Sequence, residues 1–230
     1  MARTGTLASM AQRLLEVNQL GCVRGDRPLF GDLSFTLSAG QLAHVVGRNG
    51  SGKTTLLRTL CGLSQPASGE IRWRNAPIAA LGDEYRAQLS YVGHQDGVHG
   101  ELTAAENLGL ANCLVTGSHP GAIDAALERL GIDAARALPA KLLSQGQRRR
   151  LALARLLVAR TPLWILDEPF TALDAAASAL LQTLLHEHLS GGGSAVLSSH
   201  RELSLPGAKI LLLDLDHRQI SAPAYAAGRV

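Results

Sequence analysis

The segment Gly47-Arg48-Asn49-Gly50-Ser51-Gly52-Lys53-Thr54 spells G-x-x-x-x-G-K-[ST]. It joins a short β-prone run, Gln41 to Val46, to a stretch, Lys53 to Gly62, whose Leu56, Leu57 and Leu60 share one helical face. Few patterns constrain a chain more. Glycines let the backbone curl so that successive N–H groups face one anion, and the helix that follows points its positive end at the same spot. The pattern therefore predicts a strand–loop–helix unit that cradles nucleotide phosphates. Lys53 is expected to reach the β- and γ-phosphates and the Thr54 hydroxyl to ligate Mg²⁺, with Thr55 completing the binding set. A glycine turn that merely carries a lysine is the alternative, and the flanking strand and helix weigh against it.

The remaining pattern alternates strands and helices. Leu14 to Cys22 and Asp32 to Ser38 alternate apolar and polar residues around a Gly25-Asp26-Arg27-Pro28 turn, which predicts an antiparallel pair at a sheet edge. Ser68-Gly69 turns into a strand over Glu70 to Arg74, and Leu89 to Val92 is another. From Glu101 to Leu143 the chain is rich in Ala and Leu with helical spacing over Leu102 to Leu114 and Ala122 to Leu130, broken at Pro120, Gly131 and Pro139. Then come a helix (Gly146 to Ala159), a buried strand (Leu163 to Leu166), a helix (Asp174 to Leu189), a Gly191-Gly192-Gly193 turn and a strand (Ala195 to Ser199). Lys209 to Leu213 and Gln219 to Ile220 are expected to close the sheet. Alternating β and α imply an α/β fold of the P-loop NTPase class around a largely parallel core. Residues 1–12 are expected to form a loose tail, residues 13–230 a single domain, and residues from about 95 to 145 a helical subdomain inserted in it.

Two further segments carry chemistry. Asp167-Glu168 stands at the C-terminal end of the buried strand, where open α/β sheets bind ligands. Asp167 is expected to hold Mg²⁺, and Glu168, pointing elsewhere, to accept the proton of an attacking water. An acidic strand end capping a helix would account for the pair if it stood alone. Leu143-Ser144-Gln145-Gly146-Gln147 opens a helix with Ser144 as N-cap, leaving first-turn N–H groups free for an anion. One chain rarely needs two phosphate-binding helix starts for one γ-phosphate, which hints at a second protomer; an ordinary Ser-capped helix is the other reading.

Composition narrows the classes. With 22 Lys+Arg against 19 Asp+Glu the net charge is +3, too small for a polyanion-binding surface. Arg148, Arg149 and Arg150 with Arg155 make a charged helix, but without interleaved aromatics they suggest a solvated or subunit-facing surface rather than nucleic acid. Cys22, Cys61 and Cys113 form no C-x-x-C pair, consistent with reduced thiols. The longest uncharged stretch, Asn107 to Ile123, has 17 residues with polar ones among them, too short and too polar to span a bilayer. His94, His99, His119, His186 and His188 show no ligand spacing with Cys, so no structural metal is expected.

The phosphate loop, the Leu-Ser-x-Gly-Gln helix start, the Asp-Glu strand end, Gln95, Asp174 and His200 resemble, in order and spacing, the ATPase domains of ABC transporters. The likeness covers nearly the whole chain. It implies an ABC-type ATPase domain with a mixed-sheet core, working as a head-to-tail dimer that sandwiches two ATP molecules between one chain's loop and the other's Ser144, Gln145, Gly146 and Gln147. It also implies that Gln95 touches Mg²⁺ and a coupling surface, that Asp174 sits at the dimer interface, and that His200 contacts the γ-phosphate. Taken alone these three are a loop amide, a helix cap and a solvated imidazole. Two features depart from the family: Gln145 stands where the signature usually has Gly, and no Tyr, Phe or Trp near Cys22 and Val23 offers to stack on adenine.

The segments Cys22 to Phe30, Tyr91 to Gln95, Glu101-Leu102-Thr103 with Glu106-Asn107-Leu108, and Leu163 to Ala172 resemble more narrowly the ATP-binding subunits of haem exporters in bacterial cytochrome c maturation. That resemblance implies a peripheral ATPase on the cytoplasmic face of the inner membrane, bound to transmembrane subunits. No tight haem site is expected on the chain itself, since its His, Cys and Met residues are scattered and the ligand edge of the sheet is committed to phosphates. An ATPase for another cargo, or a soluble ABC-type switch protein, are the alternatives; the second usually carries two ATPase domains or a long coiled coil.

Overall fold

The computed structural model describes residues 13–25, 27–113, 121–200, 203–217 and 219–224. The expected tail 1–12, Asp26 of the expected turn, and Leu114, His119 and Pro120 of the helical stretch lie outside the described residues.

The chain runs β1 (Arg13–Arg24), β2 (Arg27–Ser38), β3 (Gln41–Val46), α1 (Lys53–Leu60), β4 (Ser68–Trp73), β5 (Ala76–Pro77), α2 (Ile78–Leu81), α3 (Asp83–Arg86), β6 (Leu89–Val92), α4 (Ala104–Cys113), α5 (Ala122–Arg129), α6 (Gln145–Ala159), β7 (Leu163–Asp167), α7 (Ala175–Ser190), β8 (Ser194–Ser198), β9 (Lys209–Asp214) and β10 (Gln219–Ala224). These strands form two sheets. The larger has the order β10-β9-β3-β8-β7-β6, parallel except for the antiparallel β10. The smaller, β2-β1-β4-β5, is antiparallel.

Every residue of β7 and β8 is buried, which explains their unbroken apolar reading: both faces of a parallel sheet are covered. Alternation then sorts them between two cores. Leu42, Trp164, Leu166 and Leu197 face α4, α5, α6 and α7, while Ala43, Val45, Ile165 and Val196 pack with Leu56, Leu57 and Leu60 of α1 and the inner face of the smaller sheet.

The expected N-terminal pair forms, but it builds a separate sheet instead of the edge of the main one, and both strands are longer than expected. Pairing continues through Cys22↔Phe30, Val23↔Pro28 and Arg24↔Arg27. Left-handed backbone at Gln19 and Asp32 (φ 48° and 56°) interrupts the register, and an irregular register blurs the period-2 signal that marks a strand's extent. The strand after Ser68-Gly69 pairs with β1 and turns tightly at Arg74-Asn75, both at positive φ. The short helices α2 and α3 have too few residues to show a period. Buried Tyr85 of α3 anchors them, its hydroxyl donating to Leu60 O at 2.6 Å.

α6 begins at Gln145, one residue before the expected Gly146, because Ser144 caps it within a reciprocal box. Ser144 Oγ accepts from Gln147 N, and Gln147 Oε1 accepts from Ser144 N. Asp174, read on its own as a helix cap, is the N-cap of α7, accepting from Ala177 N at 2.7 Å, so the helix itself starts one residue later than expected.

Candidate nucleotide site

The C-terminal ends of β3, β7 and β8 lie side by side and carry the Gly47–Thr54 loop, Asp167-Glu168 and Ser199-His200. Gly47 (φ 149°) and Gly52 (φ 106°) adopt backbone that a side chain would strain. A Cβ on Gly52 would also sit 3.1 Å from the buried ring of Phe30, so the smaller sheet presses directly against the loop. Lys53, 8% exposed, folds its Nζ back over the loop, donating to Gly47 O at 2.7 Å and Arg48 O at 3.4 Å.

Opposite the loop, the Thr54 hydroxyl donates to Asp167 Oδ2 at 2.8 Å, and Ser198 Oγ donates to Asp167 Oδ1 at 2.6 Å. Ser198 Oγ also accepts from Glu168 N at 3.0 Å. One buried hydroxyl thus sets both carboxylate residues. Glu168 has left-handed backbone (φ 47°), which costs about 1–3 kcal/mol in a non-glycine residue. Its Oε1 is buried without a hydrogen bond and lies 3.5 Å from His200 Nε2. The same Nε2 is 3.3 Å from Lys53 Nζ, so His200 stands between the cation and the carboxylate.

A cavity of about 440 Å³ opens over these groups, bordered by Lys53, Thr54, Thr55, Asp167, Glu168 and His200. Arg48, Asn49, Gly50 and Gly52 border it on the loop side, and Arg24, Leu29, His94 and Thr171 elsewhere. A larger groove, about 780 Å³, lies among α5, α6 and α7 with Trp164 and His188 on its wall; the phosphate loop, Asp167 and Glu168 do not border it.

The remaining expected residues fall into three groups. Gln95 is exposed, and its neighbour His94 borders the cavity. Ser144, Gln145, Gly146 and Gln147 stand at the start of α6 and do not border this chain's own cavity. Asp174 pairs with Arg150, and its carboxyl is held low, first by the Ala177 N–H and then, against some desolvation, by that guanidinium.

The expectation for the basic residues of α6 fails at Arg149. It is 2% exposed, and its guanidinium donates to the carbonyls of Gly93, Asp167, Glu168 and Pro169 and to Asp96 Oδ1. Helical position decides this: Arg149 sits among buried Leu151, Ala152 and Leu153 of α6, facing the sheet ends, whereas Arg150 reaches Asp174 at the surface.

Sequence reasoning also missed Ser198 and His44. Ser198 ends an apolar strand, where a polar residue at a strand's C-terminal end is a usable signal. His44 lies within β3, 6% exposed, with Nε2 3.4 Å from Ser199 O. Burial pushes its imidazole pKa down, with the Ser199 carbonyl and the charge of Glu168 opposing. Burial likewise raises the Tyr91 phenol to about 12, with the Asp167 charge adding to it.

The donor set fits a nucleotide with Mg²⁺. A hard cation takes oxygen ligands, and Thr54 Oγ1 and Asp167 Oδ2 already converge. Ser51 Oγ, buried without a partner, adds an unspent polar atom inside the loop.

Comparison with known proteins agrees with this geometry. The ABC transporter family profile matches residues 30–171, more than half of the chain. The cytochrome c biogenesis ATP-binding export protein CcmA of Nitrosococcus oceani is 50% identical over 208 residues, 90% of this chain and 94% of that protein. That of Nitrosospira multiformis is 50% identical over 87% of this chain and 98% of its own length. Among solved structures, a dimeric ATP-binding cassette in a post-hydrolysis state bound to ADP and Pi superposes with a TM-score of 0.78 at 22% identity, covering 94% of this chain and all of that one, and so shares the fold. The chain belongs to the ABC transporter family and, within it, to the cytochrome c biogenesis ATP-binding export proteins.

Proposed function

We propose that this chain is the ATP-hydrolysing subunit of a membrane export complex for cytochrome c biogenesis, and that the cavity over Lys53 and Glu168 is where it binds and cleaves ATP. The observation that carries the reading is the convergence there of a phosphate loop, the anchored carboxylate of Asp167 and the Glu168 Oε1, which makes no hydrogen bond and faces His200 at 3.5 Å.

In this reading the N–H groups of Gly50 to Thr55 and the Lys53 ammonium hold the β- and γ-phosphates. Mg²⁺, held by Thr54 and Asp167, supplies charge neutralisation on the phosphate oxygens. Glu168 accepts the proton of water as the water oxygen bonds to the γ-phosphorus. The bond from that phosphorus to the bridging oxygen breaks, its electron pair leaves with ADP, and inorganic phosphate carries the new bond. His200 orients the γ-phosphate between Lys53 and Glu168. Ser144, Gln145, Gly146 and Gln147 serve the nucleotide of a second chain, which accounts for their position off this chain's cavity, with Asp174 near the dimer boundary and Gln95 on the side toward a membrane partner.

Among the described residues no helix is long and apolar enough to cross a membrane. In this reading the chain works beside transmembrane partner subunits, on the cytoplasmic side where ATP is found. Haem, if it is the cargo, is handled by those partners and not bound tightly here. The test is Mg-ATP hydrolysis by the purified chain with and without solubilised membrane partners. Stimulation by a partner rich in transmembrane helices supports the reading, and hydrolysis indifferent to any partner and to protein concentration contradicts it.

A further inference from the structure

The guanidinium of Arg149 has five N–H donors, and the structure gives them five acceptors. Nε donates to Pro169 O at 3.3 Å, Nη1 to Gly93 O at 2.8 Å and Asp96 Oδ1 at 3.2 Å, and Nη2 to Glu168 O at 2.8 Å and Asp167 O at 3.3 Å. Three separate parts of the molecule meet on this one side chain. The first is the start of α6, four residues after Gln145. The second is the segment from Gly93 to Asp96, which carries His94 and Gln95. The third is the Asp167-Glu168-Pro169 turn.

Glu168 is pinned on both sides. Its N–H is held by Ser198 Oγ at 3.0 Å and its carbonyl by Arg149, while its backbone is held at a φ of 47° that a glutamate does not adopt unaided. With Oε1 making no hydrogen bond and meeting only His200 at 3.5 Å, the backbone anchors fix the point from which the side chain reaches the site. Arg155, less than two turns further along α6, grips the same segment through Asp96 O at 2.9 Å and Gly97 O at 3.0 Å. The 93–97 segment and α6 are therefore tied at two points.

We infer that Arg149 is a positioning residue for hydrolysis, holding the Glu168 backbone in register with both the signature helix and the Gly93–Gly97 segment. The inference rests on the reading of Glu168 as the proton acceptor. The five-way match explains the residue type. Lysine has three donors on a tetrahedral head and cannot span acceptors in three directions from one plane, so charge alone does not substitute.

The test compares Arg149→Gln, Arg149→Lys and Glu168→Gln in the full chain, following thermal unfolding, the KM for Mg-ATP and kcat at saturating protein. For Arg149→Gln and Arg149→Lys alike, kcat is expected to fall about 10- to 100-fold with KM changed less than about threefold, as for a displaced catalytic group beside an intact phosphate loop. If Arg149→Gln does not fold, Arg149→Lys, which keeps the stem and charge, reads the same split. A wild-type kcat in a folded Arg149 variant, or rescue of the rate by Lys, overturns the inference, as does a loss confined to KM. Wild-type kcat in Glu168→Gln overturns instead the reading of the site itself.

Discussion

Thr54 donates its hydroxyl to Asp167 Oδ2 across the floor of the cavity, 2.8 Å away, joining the first turn of α1 to the end of β7. In the proposed site the two oxygens share a cation, and Asp167 keeps a second anchor in Ser198. Asp167→Asn is expected to raise the Mg²⁺ concentration needed for half-maximal ATP binding by at least about tenfold, because an amide carries no charge toward a hard cation. Titration of Mg²⁺ at fixed ATP, followed by nucleotide fluorescence, checks this; an unchanged midpoint would remove Asp167 from the site.

Lys53→Ala is expected to abolish measurable ATP binding while the chain stays folded. The ammonium contacts loop carbonyls and His200 and supports none of the hydrophobic core, so its loss takes away phosphate charge rather than packing. Equilibrium binding and thermal unfolding on the same sample separate the two effects. Normal ATP binding by the folded variant would discard the loop assignment.

Glu168→Gln keeps the shape of the side chain but accepts no proton from water, so kcat should fall by about 10²- to 10⁴-fold with ATP binding retained. ATP that is bound but not cleaved should hold two chains together. Sizing chromatography in Mg-ATP is expected to show a dimer for Glu168→Gln and mostly monomer for the unsubstituted chain. A strictly monomeric Glu168→Gln at high concentration would count against the sandwich.

What could be read from the residues in order was what local chemistry dictates. The phosphate loop, the Ser144 and Asp174 caps and the acidic end of β7 each depend on neighbours within a few positions. The roles of Ser198, Arg149 and His44 could not be read locally because their partners lie far along the chain: Asp167 is 31 positions from Ser198, Gly93 is 56 from Arg149, and Ser199 is 155 from His44. The basic run in α6 misled for a related reason. Composition reports that four arginines are present, but only the rotation of α6 against the sheet decides that Arg149 points inward. Likewise, alternation in β1 and β2 reveals one buried face and not which sheet that face belongs to.

Ser198→Ala tests the hydroxyl that neither composition nor motif singled out. It leaves Asp167 Oδ1 without its 2.6 Å donor in a fully buried setting, so a loss of about 1–3 kcal/mol in stability is expected. Glu168 N keeps a second acceptor in the Ser198 carbonyl at 3.2 Å, and the rate should therefore drop less than in Glu168→Gln. Chemical denaturation and steady-state hydrolysis on one preparation measure both. Stability equal to that of the unsubstituted chain would show that the hydroxyl does not anchor Asp167.

Acidification should destabilise the fold through two imidazoles, those of buried His44 and half-buried His188. Burial lowers the pKa of His44, with the Ser199 carbonyl and Glu168 opposing, and burial lowers that of His188, with the Ser194 and Pro162 carbonyls opposing. For a histidine whose folded pKa lies below its unfolded value near 6.5, both states are neutral at higher pH and the stabilisation is complete. As pH falls through 6.5 the unfolded chain takes up protons that the folded chain refuses, and stability declines until the folded pKa is passed. Each group can contribute a slope of at most about 1.4 kcal/mol per pH unit. His217 works in the opposite sense, since its bond to Asp214 raises its pKa, but it is exposed and its contribution is screened. Unfolding midpoints recorded from pH 7.5 down to 5.5 are expected to fall, and to fall less steeply in His44→Gln, whose amide still donates to Ser199 O but does not titrate. An identical pH slope in His44→Gln, His188→Gln and the double variant would show that neither imidazole is the acid-sensitive group.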